Sequence, residues 1–184
     1  MHRVEHVVAA RGGGRHVLYE IPPGGVPVSR DADLAGVRGV WTIAESNSGL
    51  WVGTGEGGLY LKSGDRFQQI PFSDSVEPVK AIVEDRDGCL WVGTRGSGLH
   101  VRRDGVWKRY GKERGLLSED IRAVYEDPAG RIWVGSNGGG LACHVGGRFF
   151  TVTSRERLPS DTVSQIVMDD AGRLWVGTHH GLAI

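Results

Sequence analysis

Short runs of β-forming residues alternate along this chain with clusters of Gly, Asp, Asn and Pro, and no stretch between glycines reaches ten residues with a 3.6-residue period. That pattern predicts strands joined by tight turns. Residues 121–153 show the unit clearly. Residues 121–125 (IRAVY) read as a strand, and Glu126 to Gly130 as a turn built on Pro128 and Gly130. Residues 132–136 (IWVGS) form a second strand, followed by Asn137-Gly138-Gly139-Gly140, which supplies the positive φ a tight reversal needs. Residues 141–145 and 148–152 complete a four-stranded antiparallel meander. The same frame fits first strands at 40–43, 79–83 and 163–167, and fourth strands carrying Phe67 and Trp107. Both faces of each meander look apolar, so each is expected to lie between neighbours.

The meanders are copies of one another. Trp-Val-Gly-Thr, or Trp-Val-Gly-Ser, begins at Trp51, Trp91, Trp133 and Trp175, in steps of 40, 42 and 42 residues. Four-stranded units of this length with two buried faces are β-propeller blades, whereas leucine-rich and β-helix solenoids use shorter units of one or two strands. The expected fold class is therefore all-β, a propeller of four-stranded antiparallel blades. The expected divisions are a degenerate partial blade and linker (1–36), blades at 37–76, 77–118 and 119–160, and a truncated blade (161–184). Three full and two partial blades imply an incomplete ring, part of a longer propeller rather than a four-bladed one. Within residues 1–36, His6 to Ala10 resembles a worn second strand, residues 15–19 a third strand, and Pro22 to Pro27 a loop. The repeating Trp51, Trp91, Trp133 and Trp175, with Gly53, Gly93, Gly135 and Gly177, are read as packing elements, the tryptophans filling the gaps between blades.

Composition changes this picture little. The 30 glycines in 184 residues lack a G-X-Y period, so they mark turns rather than collagen. Lys+Arg and Asp+Glu are both 22, and this zero net charge gives no support for nucleic-acid binding. Cys89 and Cys143 occupy different repeat positions and make no CxxC pair, so zinc is not expected and a disulfide is undecided. No apolar run is long enough to span a bilayer, and the first twenty residues lack the features of a secretory signal.

Several motifs suggest chemistry and are better read as structure. Residues 53–58 (GTGEGG) match GxGxxG, but a strand follows where a dinucleotide site needs a helix. Glu84-Asp85, Glu126-Asp127 and Asp169-Asp170 look like the paired carboxylates of glycosidases, yet they recur ahead of a Gly turn that an Asp can cap. No D-x-D-x-D-G calcium spacing and no G-x-S-x-G elbow occurs. The His179-His180 pair is the one irregularity with metal-binding potential, and adjacent side chains on a strand end diverge. No catalytic residue, metal or cofactor is expected.

What varies is more informative. The turns after the motif keep their glycines but exchange one side chain: Glu56, Arg95, Asn137, and His179 with His180. In a meander this turn opens on the same face as the links between blades, which carry Ser118, Glu119, Asp120, Ser160 and Asp161. Trp41, Lys80, Arg122 and Ser164 share one position on the first strand. Glu56, Arg95, Asn137, His179, His180, Lys80 and Arg122 are the candidate ligand-binding residues, on a polar face of mixed charge suited to a polyhydroxylated ligand or a protein.

The pattern V-x-x-I-x-E-D-x-x-G-x-L-W-V-G-T-x-x-G-G-L, carried at Val79 to Leu99, Ile121 to Leu141 and Val163 to Leu182, resembles the two-component regulator propeller repeat. The leading Gly115-Leu116-Leu117-Ser118 and Leu158-Pro159-Ser160 belong to the same resemblance, which covers residues 37–184. It implies a sensor propeller of about seven blades, within the roughly 4–8 that propellers use. Such propellers sit outside the inner membrane, ahead of a membrane helix and a histidine kinase or diguanylate cyclase. It implies a periplasmic, non-enzymatic segment of a two-component or cyclic-di-GMP signalling protein. Its partners would be a small-molecule or glycan ligand, and further blades or a second copy that complete the ring. Nucleic acid and direct membrane contact are not expected. Streptogramin-lyase-like enzymes look similar, and a cytoplasmic interaction scaffold is the third reading.

Overall fold

The structure is a computed structural model that describes residues 6–12, 15–21, 25–29, 39–64, 66–74 and 76–184. It is all-β, with eighteen strands and two short 3-10 turns, Lys112–Arg114 and Ser154–Glu156, among the described residues. The chain divides into two compact units, Met1–Val79 and Lys80–Ile184.

The first unit holds two sheets. Strands β1 (His6–Gly12), β2 (Arg15–Ile21) and β3 (Val28–Ser29) pair antiparallel in that order. Just beyond the expected loop of Pro22 to Pro27, Val28 and Ser29 pair with Glu20 and Tyr19. The second sheet is the meander β4 (Val40–Ser46), β5 (Gly49–Thr54), β6 (Leu59–Ser63) and β7 (Arg66–Gln69). Its core is Val40, Val52 and Tyr60, with Ile43 and Phe67 packed alongside.

The second unit repeats the meander. One sheet is β8 (Val79–Glu84), β9 (Leu90–Thr94), β10 (Leu99–Arg103) and β11 (Val106–Tyr110), its first residue falling at the unit boundary. The next is β12 (Ile121–Glu126), β13 (Ile132–Ser136), β14 (Leu141–Val145) and β15 (Arg148–Val152). The last has three strands, β16 (Val163–Met168), β17 (Leu174–Thr178) and β18 (Gly181–Ala183). In the second unit the first strand of a sheet packs on the second strand of the sheet before: β12 on β9, and β16 on β13. That stacking of four-stranded meanders is the propeller architecture.

Every residue of the repeated tetrapeptide has a distinct packing task. The Trp indole N–H donates to a carboxylate in the preceding turn: Trp91 to Asp85 at 2.7 Å, Trp133 to Asp127 at 2.9 Å, Trp175 to Asp169 at 2.7 Å. In the first blade Ser46 takes the place of the acid and accepts from Trp51 at 3.1 Å. The Val is core: Val52, Val92 and Val134 are fully buried and Val176 nearly so. The Gly admits the neighbouring blade. A Cβ on Gly93 would lie 2.6 Å from Ile121, and one on Gly135 2.5 Å from Val163, each on the next first strand. Gly53 stands likewise against Val79, whereas Gly177 has only Gln165 near, at 3.4 Å. The hydroxyl closes the following turn: Thr94 donates to the Gly98 carbonyl at 2.8 Å and Thr178 to that of Gly181 at 2.7 Å.

Trp91 does reach across the gap. Its ring meets His144 of the next blade edge-on at 5.2 Å, and Tyr110, His144 and Phe149 complete an aromatic cluster. Trp51 and Trp91 are buried, while Trp133 and Trp175 are half-buried. Each of those two lies beneath a guanidinium, that of Arg131 at 5.5 Å and Arg173 at 5.6 Å.

The expectation of two apolar faces fails at the fourth strand. β7, β11 and β15 are largely exposed, and Val106 and Phe150 project into solvent. A blade widens outward from its neighbours, so its last strand loses their cover.

Candidate functional site

The two ends of each meander in the second unit have different chemistry. At one end, the turn between first and second strands is organised by a single aspartate. Asp127 Oδ1 accepts from the amides of Ala129 and Arg131, and Oδ2 from Arg131 Nε and Trp133 Nε1. Asp169 is bonded in the same way by Ala171, Arg173 and Trp175. Asp85 accepts from the amides of Asp87 and Cys89 and from Trp91. Burial alone would raise the Asp127 carboxyl, but the bonds from Trp133 and Arg131 outweigh it and hold its pKa below the usual range. The Trp175 bond, foremost among several, does the same for Asp169. The acid pairs therefore spend one member on the turn, and in Asp169-Asp170 it is the first. Arg86 ties one such turn to the next, donating to Glu126 Oε1 at 2.6 Å and to the carbonyls of Asp127 and Pro128.

At the other end, the turn between second and third strands meets the links between blades. The amide of Asn137 donates to the Asp120 carbonyl at 2.8 Å, and that of His179 to Thr162 at 2.9 Å. Gly98 and Gly140 donate across to the next blade's link, at Glu119 and Asp161. The side chains then join the blades. Asn137 donates to Asp120 Oδ2 at 2.9 Å, and its amide oxygen accepts from the Thr162 hydroxyl at 3.1 Å.

The first strand feeds this rim through a β-bulge. In the register of β12 with β13, Ile121 opposes Ser136 and Ala123 opposes Gly135, leaving Arg122 as the extra residue. Ser164 and Trp41 are the extra residues of β16 and β4. A bulge redirects the side chain it releases. Arg122 places Nη2 4.0 Å from Asp120 Oδ2. Its Nε is buried without a hydrogen-bond partner, as is Asp120 Oδ1. Lys80 is half-buried on β8 beside the same group. Burial lowers its ammonium pKa, the Asp120 charge raises it, and the Arg122 and Arg95 guanidiniums lower it further.

Arg122, Asp120, Asn137 and Thr162 thus form a connected row that the His179 backbone ends, and the charges of Asp120, Arg122 and Arg95 all act on Lys80. The His179 and His180 side chains are exposed and stack on each other at 5.0 Å. Glu56 belongs to the first unit, where its charge adds to burial in raising the Tyr60 hydroxyl. Trp41, also in that unit, lies over the turn, and a Cβ on Gly55 would meet its indole at 2.7 Å. The sequence did not single out Thr162, whose role depends on a neighbour 25 residues away. A separate hollow of about 500 Å³, lined by Glu113, Arg114, Gly115, Arg148, Phe149 and Phe150, shares no residue with the row. Among the described residues no group of three or more His, Cys, Asp or Glu is placed to hold a metal ion. Cys89 and Cys143 are free thiols.

The family model described as two component regulator propeller matches residues 73–96, 115–138 and 157–180. Those three stretches match the two-component regulator propeller repeat. The chain's fold is also that of the extracellular domain of a putative hybrid two component system from B. thetaiotaomicron, at TM-score 0.72 and 24% identity over 97% of this chain and 26% of that one. An extracellular domain of a putative one component system from the same organism gives 0.71 and 19%, over 96% and 28%. A virginiamycin B lyase from Staphylococcus aureus, solved in a catalytically inactive form with quinupristin, gives 0.72 at 12% identity, over 95% and 62%. The chain spans about a quarter of the length of the first two of these relatives. No curated protein matches it.

The regulator repeats contain the whole row. Lys80 and Arg95 fall in the first matched stretch, Asp120, Arg122 and Asn137 in the second, and Thr162, His179 and His180 in the third. Each repeat supplies its own fixed tetrapeptide and a different side chain to the rim. No helix among the described residues is long and apolar enough to cross a membrane.

Proposed function

We propose that this chain is a ligand-recognising segment of the sensor propeller of a bacterial membrane-bound signalling protein, of the two-component or cyclic-di-GMP kind. It works outside the inner membrane and carries no enzymatic activity of its own. Its ligand is polyhydroxylated, a glycan or a glycan fragment, and binds along the rim of Lys80, Arg95, Arg122, Asn137, His179 and His180; Glu56, on the equivalent turn of the first unit, serves that unit in the same way. Further blades, or a second copy of the chain, complete the ring, and the output domain is a histidine kinase or diguanylate cyclase.

One observation carries this reading. The side chains that repeat are consumed by packing, while the turns between second and third strands carry a different side chain in each repeat, and in the second unit Asn137 is bonded to Asp120 and Thr162 of the links between blades. Side-chain amides, hydroxyls and carboxylates in a row offer the mixed donors and acceptors that a sugar's hydroxyls require. An enzymatic reading needs a His beside an acid on this rim, and His179 and His180 stack on each other instead. Calorimetric titration with a panel of neutral and acidic oligosaccharides tests the proposal. Saturable heat with at least one member, lost in Asn137→Ala, is expected, and no heat from any member would contradict it.

A further inference from the structure

The outer edge of one blade carries a recess that the fold does not fill. β15 is the last strand of its sheet. Phe149 and Phe150 are successive residues on it, so their side chains point to opposite faces. Both line the hollow of about 500 Å³, which therefore opens at the strand's free edge. The opposite wall is the turn of Glu113, Arg114 and Gly115. The two walls are tied together. A Cβ on Gly115 would lie 2.5 Å from the Phe149 carbonyl oxygen, and the Thr151 hydroxyl donates to the Gly115 carbonyl at 3.2 Å. Phe149 is buried and held by the rings of His144 and Tyr110, at 5.0 and 5.7 Å. Phe150 is its open counterpart, 64% exposed. The charged lining is positive. Arg114 and Arg148 are exposed, and among the described residues no ion pair or hydrogen bond engages either guanidinium. Glu113 is the acid of the lining, and its carboxylate is already held: Oε1 accepts from the Gly111 amide at 3.0 Å, and Oε2 lies 3.9 Å from Arg109 Nη1. Arg109 also pairs with Glu119 at 2.5 Å. Three guanidiniums thus stand against two carboxylates, and the two without partners line the hollow. A recess of this size, with aromatic walls and a few charged groups, has the make-up of a small-molecule site.

We propose that this hollow binds an aromatic carboxylate, a small molecule of one ring and one acid group. The ring packs on Phe150, offset or edge-on, and removes that exposed side chain from water. The carboxylate goes to Arg114 and Arg148, whose planar forks match its two oxygens. Glu113 keeps its bond to Gly111 and repels a second acid group. The turn follows β11 while Arg148 and Phe150 belong to the next sheet, so a bound ligand touches two blades at once.

The isotope-labelled full chain is titrated with phenylacetate, phenylacetamide and acetate, and NMR follows the backbone amides of residues 113–115 and 148–150. Phenylacetate should give saturating shifts there, with an affinity at least tenfold above that of either control. Arg114→Gln, Arg148→Gln and Phe150→Ala, each first checked by its melting curve, should weaken it about tenfold apiece. Added salt should weaken the acid and leave the amide unchanged. Phenylacetamide binding as tightly as phenylacetate, or an affinity that neither arginine substitution changes, would overturn the role of the guanidiniums. Acetate binding as tightly would overturn the role of the ring. No saturating shift at these residues would overturn the site. Should a variant fail to fold, the three ligands on the unsubstituted chain decide the same question. None of these outcomes bears on the oligosaccharide rim, which shares no residue with the hollow.

Discussion

The two rims of the second unit are made from the same residue types and put them to opposite uses. At the Asp127 rim, one carboxylate receives four hydrogen bonds and is almost wholly buried. At the Asp120 rim, a carboxylate of the same kind receives one side-chain bond from Asn137 and keeps a buried oxygen unpartnered. The first arrangement recurs at Asp85, Asp127 and Asp169. The second does not recur: the positions equivalent to Asn137 hold Glu56, Arg95 and His179. Saturation with repetition marks a residue that the fold uses up. Variation with unused bonding capacity marks one that the fold does not use up. A polar side chain at the end of a strand is therefore informative only when its partners are counted.

The largest expected effect lies in the packing between the rims. Trp91→Ala should cost about 3–5 kcal/mol, the range for truncating a large buried aromatic, read from chemical denaturation. A smaller loss would place Trp91 outside the core that His144 and Phe149 share with it. Protonation should act next. His100, almost fully buried, has a pKa lowered to about 4 by burial, with help from the Arg109 charge. His144 is lowered by burial and by Lys108. Histidines with depressed folded pKa values contribute stability that is fully present above their unfolded value near 6.5. That stability is lost as pH falls toward 4, by roughly 2–3 kcal/mol for His100. Asp127 and Asp169, also depressed, lose theirs only as pH falls below the ordinary carboxylate value. A pH titration of stability should thus show two windows, and His100→Gln should shrink the upper one alone, leaving the His144 part. The glycines provide an internal control of smaller size. Gly135→Ala should cost about 1–3 kcal/mol because its methyl would meet Val163, while Gly177→Ala should be close to neutral. Equal costs would mean that backbone freedom, not blade spacing, sets the requirement. At the Asp120 rim the effect should be small: Asn137→Ala, which loses exposed bonds to Asp120 and Thr162, should shift stability by about 0.5–1 kcal/mol.

The architecture was legible because period and turn chemistry agree. Runs of four to six residues cut by Gly at fixed spacing admit a meander and nothing longer, and the 42-residue step fixes its repetition. What stayed hidden depends on register. The shared position of Arg122 and Ser164 was visible, but the bulge there was not, since it adds a residue without altering the period of the repeat. Which acid of Asp169-Asp170 caps its turn is decided by backbone direction, not composition. The link from Asn137 to Thr162 joins residues from different blades, so no local pattern announces it. The short β3 is hidden because Pro and Gly dominate its surroundings, although two residues suffice to add an edge. For the rim itself, the variable positions and the link residue Asp120 were legible, and the structure adds Thr162 and the bonds that join Asp120, Asn137 and Thr162.

A matched pair of substitutions tests the contrast between the rims most directly: Asp127→Asn and Asp120→Asn, compared by denaturant unfolding at neutral pH. Each exchanges one carboxylate oxygen for a donor. At Asp127 that donor would face the N–H groups of Trp133 and Arg131, and the loss should be about 2–4 kcal/mol. At Asp120 it should stay within about 1 kcal/mol, the worth of a single bond. Equal losses at the two positions would contradict the account, because the Asp120 rim would then be as fully spent on the fold as the other.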